Sequence, residues 1–173
     1  FRLPKDKALI NRMGFNNDGV QAVAENIKAW RKRYPNSNLI IGGNIGKNKV
    51  TPNEDAWKDY VICFQHLYPL VDYFTINVSS TNTPGLRALQ DVDSLKIILE
   101  KVMECRHKET IIKPIFLKIA PDLSNEAVLD IAHLVQQTGL NGMIIANTTI
   151  SRDNLKTDSN KLLSIGAGGL SGA

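Results

Sequence analysis

The sequence predicts a parallel α/β fold, a (β/α)8 TIM barrel of which this chain supplies about four consecutive βα units. Short apolar runs begin near residues 39, 73, 115 and 142, and a helical pattern lies between successive runs. Such alternation is typical of a parallel sheet covered by helices. A whole barrel takes roughly 250 residues, whereas the chain has 173. We therefore expect residues 1–173 to form one domain, the middle part of a larger barrel, with a doubly wound open sheet as the alternative.

The predicted strands are continuous apolar runs that end in polar or turn-forming residues. A short run of this kind suits a strand that is buried on both faces of a sheet. Clusters of Pro, Asn, Ser and Gly separate these runs from the helical segments. The four predicted strands cover residues 39–44, 73–78, 115–120 and 142–147.

The predicted helices combine apolar periodicity with start signals. Thr51, Pro52 and Glu54 match a capping box with the proline that is favoured in the first turn. Asp91 and Ser124 are good N-cap residues for the next two helices. The region after the last strand is rich in Ser, Asp, Asn and Gly and predicts a long loop. The predicted helices cover 18–33, 51–68, 91–107 and 124–138, and the predicted loop covers 148–173.

Charge and cysteine content exclude several classes of function. The net charge is only +4, and the densest basic run, residues 31–33, lies at a predicted helix end, where cations suit the helix dipole. We therefore expect no nucleic-acid partner. Cys63 and Cys105 have neither a disulfide-framework nor a zinc-site spacing, so reduced thiols and no metal are expected. The chain has no run of 18 apolar residues and no visible signal peptide, but it begins at Phe1, so an upstream membrane anchor is not excluded.

Three predicted strands carry an asparagine at or next to their last position, and the fourth carries a lysine near its end: Asn44, Asn77, Asn147 and Lys118. In parallel α/β folds the chemistry collects at the carboxyl ends of strands, so these side chains are expected to converge on one rim. Lys118 is flanked by apolar residues, and a buried ammonium needs an anionic or hydrogen-bond-accepting partner. Asparagine is also a common turn residue, so the set supports the hypothesis better than any single asparagine.

The amides favour a planar, amide-rich ligand that is neutral to anionic. Each carboxamide presents donors and an acceptor on one short group, and flavin rings and pyrimidine-like rings both meet that requirement. The three histidines all lie in predicted helices, where surface positions are expected rather than catalysis. The amides that we expect at the rim are Asn11, Asn44, Asn77, Asn82 and Asn147.

The stretch INVSSTNTPG, residues 76–85, places six short hydrogen-bonding side chains directly after an apolar run. Without a nearby histidine, Ser79 or Ser80 lacks the usual base partner of a serine nucleophile. A serine hydroxyl can still relay a proton from an acidified C–H when the site desolvates it and a neighbouring donor stabilises the oxyanion. Thr83 and a trapped water could complete such a relay.

These motifs together resemble the dihydroorotate dehydrogenase family, most closely its quinone-dependent, membrane-associated class. The matching stretches occur in family order over the whole chain, and they are specific as a set. They are LINRMGFNN (9–17), GGNIGKNK (42–49), INVSSTNTPGLRALQ (76–90), LKIAPDL (117–123), IIANTTI (144–150) and GGLSG (168–172).

The resemblance implies a flavin mononucleotide (FMN) enzyme that oxidises dihydroorotate to orotate in pyrimidine (UMP) biosynthesis. Ser80 corresponds to the catalytic base, which takes the C5 proton while C6 delivers hydride to flavin N5. Thr83 and Phe15 correspond to positions on the proton exit path. The implied flavin contacts are Asn44, Asn77, Lys118, Ala146 and Gly172. The implied substrate ligands are Asn11, Arg12, Met13, Gly14, Phe15, Asn77, Asn82, Asn147 and Thr148.

Ser80 also distinguishes the class, since the soluble classes use cysteine as the base. The implied second substrate is therefore a membrane quinone, reached through a segment outside this chain. The implied location is peripheral, on the cytoplasmic face of a bacterial inner membrane or on the mitochondrial inner membrane. The chain departs from the family at Thr81, where proline is usual, and at Ala146, where a hydroxyl residue is frequent.

The family pattern extends beyond this chain at both ends, and rival functions remain open. Upstream strands with a flavin-contacting lysine, and downstream glycine-rich loops for the flavin phosphate, are expected outside residues 1–173. We therefore expect that the chain alone neither binds flavin tightly nor turns over substrate. The alternatives are a soluble-class dihydroorotate or dihydropyrimidine dehydrogenase-like flavoprotein, which Ser80 disfavours, and an inactive barrel fragment that serves as a binding module.

Overall fold

The computed structural model describes residues 1–83 and 85–172 and contains two sheets. Pro84 and Ala173 lie outside the described residues, and with them the end of the predicted 148–173 loop. The strands are β1 (Arg2–Leu3), β2 (Ala8–Asn11), β3 (Gly42–Ile45), β4 (Tyr73–Asn77), β5 (Ile115–Ile119), β6 (Gly142–Ile145) and β7 (Gly169–Gly172). The helices are α1 (Val20–Arg33), α2 (Ala56–Leu67), α3 (Val92–Arg106), α4 (Asn125–Thr138) and α5 (Ser159–Ile165).

The larger sheet is parallel and keeps the order of the sequence, β3-β4-β5-β6. Each connection contains one helix, and α1, α2, α3 and α4 pack successively against one another along the sheet. A doubly wound sheet reverses its strand order at a switch point, whereas this sheet progresses in one direction. The chain is therefore a partial (β/α)8 barrel of four consecutive βα units, as the sequence predicts.

The core lies between the parallel sheet and its helices. Tyr60 and Phe64 of α2 and Phe74 of β4 are completely buried. The ring centroids of Phe64 and Phe74 lie 4.5 Å apart. In β5 the odd positions Ile115, Leu117 and Ile119 are buried under the helices, while the even positions are half-buried on the opposite face. This opposite face is the inner side of the partial barrel, and it leads to the candidate site.

The two N-caps predicted at α3 and α4 are confirmed, but the capping box at Thr51 is wrong. Asp91 accepts hydrogen bonds from two backbone N–H groups of α3, and the Ser124 hydroxyl accepts one from Ala127. α2 begins only at Ala56, after a 3-10 turn over Asn53–Asp55, with no side-chain cap. The physical reason is that Lys47, nearly buried, donates its ammonium to the Thr51 carbonyl (2.6 Å) and holds Thr51 in the preceding loop.

All four predicted strands are present in the structure, as β3, β4, β5 and β6, but their boundaries differ from the predicted ones. β3 begins at Gly42 rather than at Leu39, and Leu39 and Ile40 are 58% and 72% exposed. Pairing starts where Asp72 accepts a hydrogen bond from the Ile41 N–H (2.7 Å) and donates its own N–H to the Ile41 carbonyl (2.8 Å). β6 ends at Ile145, so Asn147 stands two residues beyond the strand that was predicted to contain it.

The predicted 148–173 loop is wrong, because α5 and β7 lie within it. β7 pairs antiparallel with β2, from Ala8 opposite Gly172 to Asn11 opposite Gly169, and β1 completes the smaller sheet. Its small core consists of Leu3, Ala8, Ile10 and Ile165. The partner of β7 lies about 160 positions earlier in the chain, so no local pattern could reveal this strand.

The remaining structural expectations concern cysteines and membrane-spanning segments. Cys63 and Cys105 are free and half-buried, and burial raises the pKa of the Cys63 thiol to about 11. The Cys63 thiol is therefore not activated as a nucleophile. In residues 1–83 and 85–172, no helix is long and apolar enough to cross a bilayer, and no group of acidic, histidine or cysteine side chains could hold a metal ion.

Candidate active site

Asn77, the last residue of β4, stands at the centre of the carboxyl rim of the parallel sheet. It is 2% exposed, and its Nδ2 donates to Oδ1 of Asn44 on β3 (3.2 Å). The Tyr60 hydroxyl donates to the Asn77 carbonyl (2.9 Å), and burial raises the pKa of Tyr60, so this donor stays protonated. Asn77 is therefore fixed through both its side chain and its backbone.

Ser79 links Asn77 to the loop that follows β6. Its N–H and hydroxyl donate to Oδ1 of Asn77 (3.2 and 3.0 Å), and its hydroxyl oxygen accepts a hydrogen bond from Nδ2 of Asn147 (2.9 Å). Ser79 is completely buried. Asn44, Asn77, Ser79 and Asn147 thus form one hydrogen-bonded chain across the rim, which we call the amide chain.

Ser80 follows the amide chain, and its environment suits a proton relay. It is 7% exposed, and its hydroxyl oxygen accepts a hydrogen bond from the Asn82 N–H (3.2 Å). Among the described residues, no carboxylate or histidine hydrogen-bonds this hydroxyl. Thr83, in the same loop, is 8% exposed. A backbone donor directed at a nearly buried oxygen stabilises negative charge there.

Lys118 lies on the inner face of the sheet, beside the amide chain. It stands in register with Asn77 on β4 and with Ile144 on β6, and neighbouring in-register residues of a sheet point to the same face. The Lys118 side chain is half-buried, and none of the described carboxylates forms an ion pair with it. Its ammonium is available to an anionic or hydrogen-bond-accepting ligand.

The segment from Asn11 to Phe15 closes the site from the side of β2. Nδ2 of Asn82 donates to the Asn11 carbonyl (3.3 Å), and the Phe15 ring packs against Gly46. The Arg12 guanidinium turns toward the smaller sheet and donates to the Ile165 carbonyl (2.7 Å). A cavity of about 850 Å³ opens here. Among its lining residues are Arg12, Met13, Gly14, Phe15, Asn44, Asn82 and Thr83.

Gly172, a predicted flavin contact, lies in the smaller sheet. Gly172 ends β7 opposite Ala8 and lines a second cavity of about 520 Å³, together with Lys5, Asp6 and Thr149. Ala146, directly after β6, is half-buried. The amide chain, Lys118 and the Asn11–Phe15 segment are therefore brought to one rim, and Gly172 borders a neighbouring space.

Two residues of this rim were missed at the sequence level. Arg87 donates to the Ser79 carbonyl (3.3 Å), to the Thr148 carbonyl (2.9 Å) and to Asp122 (2.6 Å). Burial alone raises the pKa of Asp122, but hydrogen bonds from Thr149 and Arg87 outweigh burial and hold that pKa below its ordinary value. The carboxylate is thus ionised at neutral pH. Both residues stand inside the stretches 76–90 and 117–123, but their spacing gave no sign that they meet.

The fold and the rim define a class of protein. Parallel βα units with amides, an ammonium and a shielded serine at the carboxyl rim are typical of a barrel enzyme that holds a flat polar ligand there. The chain belongs to the dihydroorotate dehydrogenase family, whose family model matches residues 1–173.

Individual relatives agree with this membership. The chain is 50% identical over 172 residues to dihydroorotate dehydrogenase (quinone) of Christiangramia forsetii, covering 99% of this chain and 48% of the relative. It is 49% identical over 178 residues to the protein of the same name from Arthrobacter sp., covering 100% and 50%. The crystal structure of DHODH from Eimeria tenella in complex with ferulenol superposes with a TM-score of 0.88 at 37% identity, covering 100% of this chain and 50% of that one. The chain spans about half the length of these relatives.

Proposed function

We propose that this chain supplies part of a flavin-dependent enzyme that oxidises dihydroorotate to orotate, with a quinone as electron acceptor, in pyrimidine biosynthesis. The observation that carries the proposal is the amide chain from Asn44 to Asn147, with Lys118 beside it and Ser80 next in sequence to Ser79. This arrangement supplies a row of donors and acceptors, one positive charge and one shielded hydroxyl. Family membership and the quinone-dependent names of the relatives support the same assignment.

FMN is the proposed cofactor, and the residues of the rim fit its ring. A flavin ring presents alternating carbonyl and N–H groups, which carboxamides and an ammonium complement. When bound, FMN supplies the hydride acceptor. Asn44, Asn77 and Lys118 would hold the ring, Ala146 would contribute its backbone only, and Gly172 would approach the cofactor from β7.

Ser80 is the proposed base for the C5 proton of dihydroorotate. Its low exposure keeps water from competing for the hydroxyl. The Ser80 hydroxyl would pass its own proton on while its oxygen takes the C5 proton, and the Asn82 N–H would stabilise the negative charge that the oxygen carries during this exchange. The Thr83 hydroxyl would take up the proton that Ser80 passes on, along an exit path that Phe15 lines; both residues border the 850 Å³ cavity. The proposed substrate ligands are Asn11, Arg12, Met13, Gly14, Phe15, Asn77, Asn82, Asn147 and Thr148.

The remaining contacts are proposed to come from residues outside this chain. They include the remaining barrel strands, the loops for the flavin phosphate, and the segment that meets the membrane and the quinone. The resulting location is peripheral on an inner membrane. Under this proposal the 173-residue chain alone binds FMN weakly and does not reduce quinone.

The decisive experiment compares Ser80→Ala with Ser37→Ala in the full-length protein. Ser37 accepts the same type of hydrogen bond, from the Leu39 N–H at 3.2 Å, but far from the rim. We expect Ser80→Ala to slow the anaerobic bleaching of flavin by dihydroorotate about 10²–10⁴-fold, because no base remains. Ser37→Ala should match the wild type. Equal rates for Ser80→Ala and wild type across the pH range would show that Ser80 is not the base.

A further inference from the structure

Arg87 stands on the 3-10 turn Leu86–Gln90, at the rim but outside the set of proposed flavin and substrate contacts. The turn is anchored by Gln90, which is 6% exposed. Its Nε2 donates to the Arg87 carbonyl (3.3 Å), and its Oε1 accepts a hydrogen bond from the Ala120 N–H (2.8 Å). The backbone that carries Arg87 is therefore fixed to the end of β5.

The guanidinium of Arg87 joins three loops of the rim through three different nitrogen atoms. Nε donates to the carbonyl of Ser79 after β4, Nη1 to the carboxylate of Asp122 after β5, and Nη2 to the carbonyl of Thr148 after β6. The Arg87 and Asp122 side chains are only 21% and 20% exposed. A planar guanidinium fixes the relative directions of its N–H donors, which a lysine ammonium cannot do.

Asp122 extends this connection further along the loop that follows β6. It accepts hydrogen bonds from the Thr149 hydroxyl and from the Ile150 N–H (3.2 Å). Two neighbouring residues of this loop, Thr148 and Thr149, are thus held by Arg87 and Asp122. The carboxylate both orients the guanidinium and binds the same loop.

The residues fixed in this way are neighbours of the proposed chemical groups. Ser79 precedes Ser80, the proposed base, and Thr148 follows Asn147, a proposed substrate ligand. The side chains of Ser79 and Asn147 also contact each other (2.9 Å). A second link between the same two loops therefore runs through the backbone carbonyls and Arg87.

We propose that Arg87, oriented by Asp122, is a positioning residue that sets the distance between Ser80 and the Asn147–Thr148 substrate loop. The inference rests on the proposed function. It requires the three-way geometry of the guanidinium and not merely a positive charge. A misplacement of about 1 Å between reacting groups can reduce a rate about 10²-fold.

The test uses Arg87→Lys, which keeps the charge but cannot reach all three acceptors, in the full-length protein loaded with flavin. The matched control is Arg31→Lys. Arg31 also joins a carbonyl, that of Leu70 (2.7 Å), to a carboxylate, that of Asp72 (2.8 Å), but before β4 begins and away from the rim. Three quantities are measured for each variant: the flavin reduction rate at saturating dihydroorotate, the affinity for orotate, and amide hydrogen exchange.

We expect Arg87→Lys to lower the saturating rate per bound flavin by about 10–100-fold, with a smaller change in orotate affinity. Amide exchange should accelerate in residues 79–82 and 147–150 relative to Arg31→Lys. A purely structural role would instead lower flavin content and melting temperature and leave the rate per bound flavin intact. A wild-type rate in Arg87→Lys would overturn the proposal, because charge alone would then suffice.

Two further outcomes remain decisive. If Arg87→Lys does not fold, Asp122→Asn removes the charge that orients Arg87, and the same losses in smaller degree support the proposal while wild-type behaviour overturns it. If dihydroorotate does not reduce the wild-type flavin, the proposed function fails. Faster exchange of both loops in Arg87→Lys then still supports the joining role, and unchanged exchange overturns it.

Discussion

The two sheets of this protein are built on different principles. In the parallel sheet, each strand pairs with the next one along the chain, and a helix between them covers the pair. In the smaller sheet, β2 pairs with β7 from the other end of the chain, over a core that has four buried members among the described residues. The parallel sheet is thus specified by local repeats, and the smaller sheet by one long-range encounter.

The candidate site takes its residues from both sheets. The amide chain and Lys118 stand on the parallel sheet, whereas the Asn11–Phe15 segment follows β2 of the smaller sheet. The two sides meet where Nδ2 of Asn82 donates to the Asn11 carbonyl. The site therefore has one side on the large core and one side that follows a strand pair with a small core of its own.

The largest expected effect is on the free energy of unfolding, when one buried side chain is truncated in each of the two cores. Phe74→Ala should cost about 3–5 kcal/mol of unfolding free energy, because Phe74 is completely buried between β4 and α2. Leu3→Ala should open the smaller sheet locally, with a smaller loss of global stability. Urea unfolding measures the first effect, and amide exchange at Ile10 and Leu170 measures the second. Equal global losses would show that both sheets unfold as one unit.

A second effect compares one glycine from each region. Gly139 has φ +72° at the end of α4, and a Cβ there would make only an ordinary contact with Met103, at 3.8 Å. Gly139→Ala should therefore cost about 1–2 kcal/mol for backbone strain alone. Gly168 has φ +146°, and a Cβ there would lie 2.9 Å from the Asn11 carbonyl oxygen. Gly168→Ala should cost more and also disturb the β2–β7 pair. Urea midpoints that rank the variants in the opposite order would contradict this comparison.

The smallest effect depends on pH. The hydrogen bond from the Thr157 hydroxyl, with others from the Lys156 and Thr157 N–H groups, holds the pKa of Asp6 below its ordinary value. Since the folded pKa is the lower one, this contribution is complete above the unfolded pKa of about 3.9 and is lost as pH falls through the folded pKa.

Amide exchange at Lys156 and Thr157 should therefore accelerate below about pH 4. Asp6→Asn should abolish this acid dependence while exchange in the parallel sheet keeps its own. Persistence of the acid dependence in Asp6→Asn would assign it to another group.

The sequence predicted the local units of the fold well. The N-caps Asp91 and Ser124 satisfy backbone donors within three positions of themselves, so the pattern alone identifies them. The capping box at Thr51 matched its pattern equally well, but the prediction was wrong. The preceding loop brings the Lys47 ammonium to the Thr51 carbonyl, and a capping pattern contains no information about the path of that loop. The predicted strand positions Leu39 and Ile40 were wrong because burial depends on a neighbouring strand. β4 pairs with β3 only from Gly42 onward, so both residues are exposed.

The candidate site also contains residues that the sequence predicted and contacts that it did not. Asn44, Asn77 and Lys118 could be predicted, because a parallel repeat brings the ends of successive strands to one rim. Ser79 as a link to Asn147, and Arg87 as a link among three loops, could not. These contacts depend on side-chain directions in loops after three different strands.

The sequence by itself determined the four βα units and the polar groups at the strand ends, because hydrophobic period and capping act over a few residues. Only the tertiary structure decided the order of the strands in the parallel sheet, the pairing of β7 with β2, and the position of Arg87 between the Ser79 and Thr148 carbonyls. The residues that these contacts join are separated in the sequence by between 8 and more than 160 positions. The contacts therefore form only when the helices and strands between them have packed.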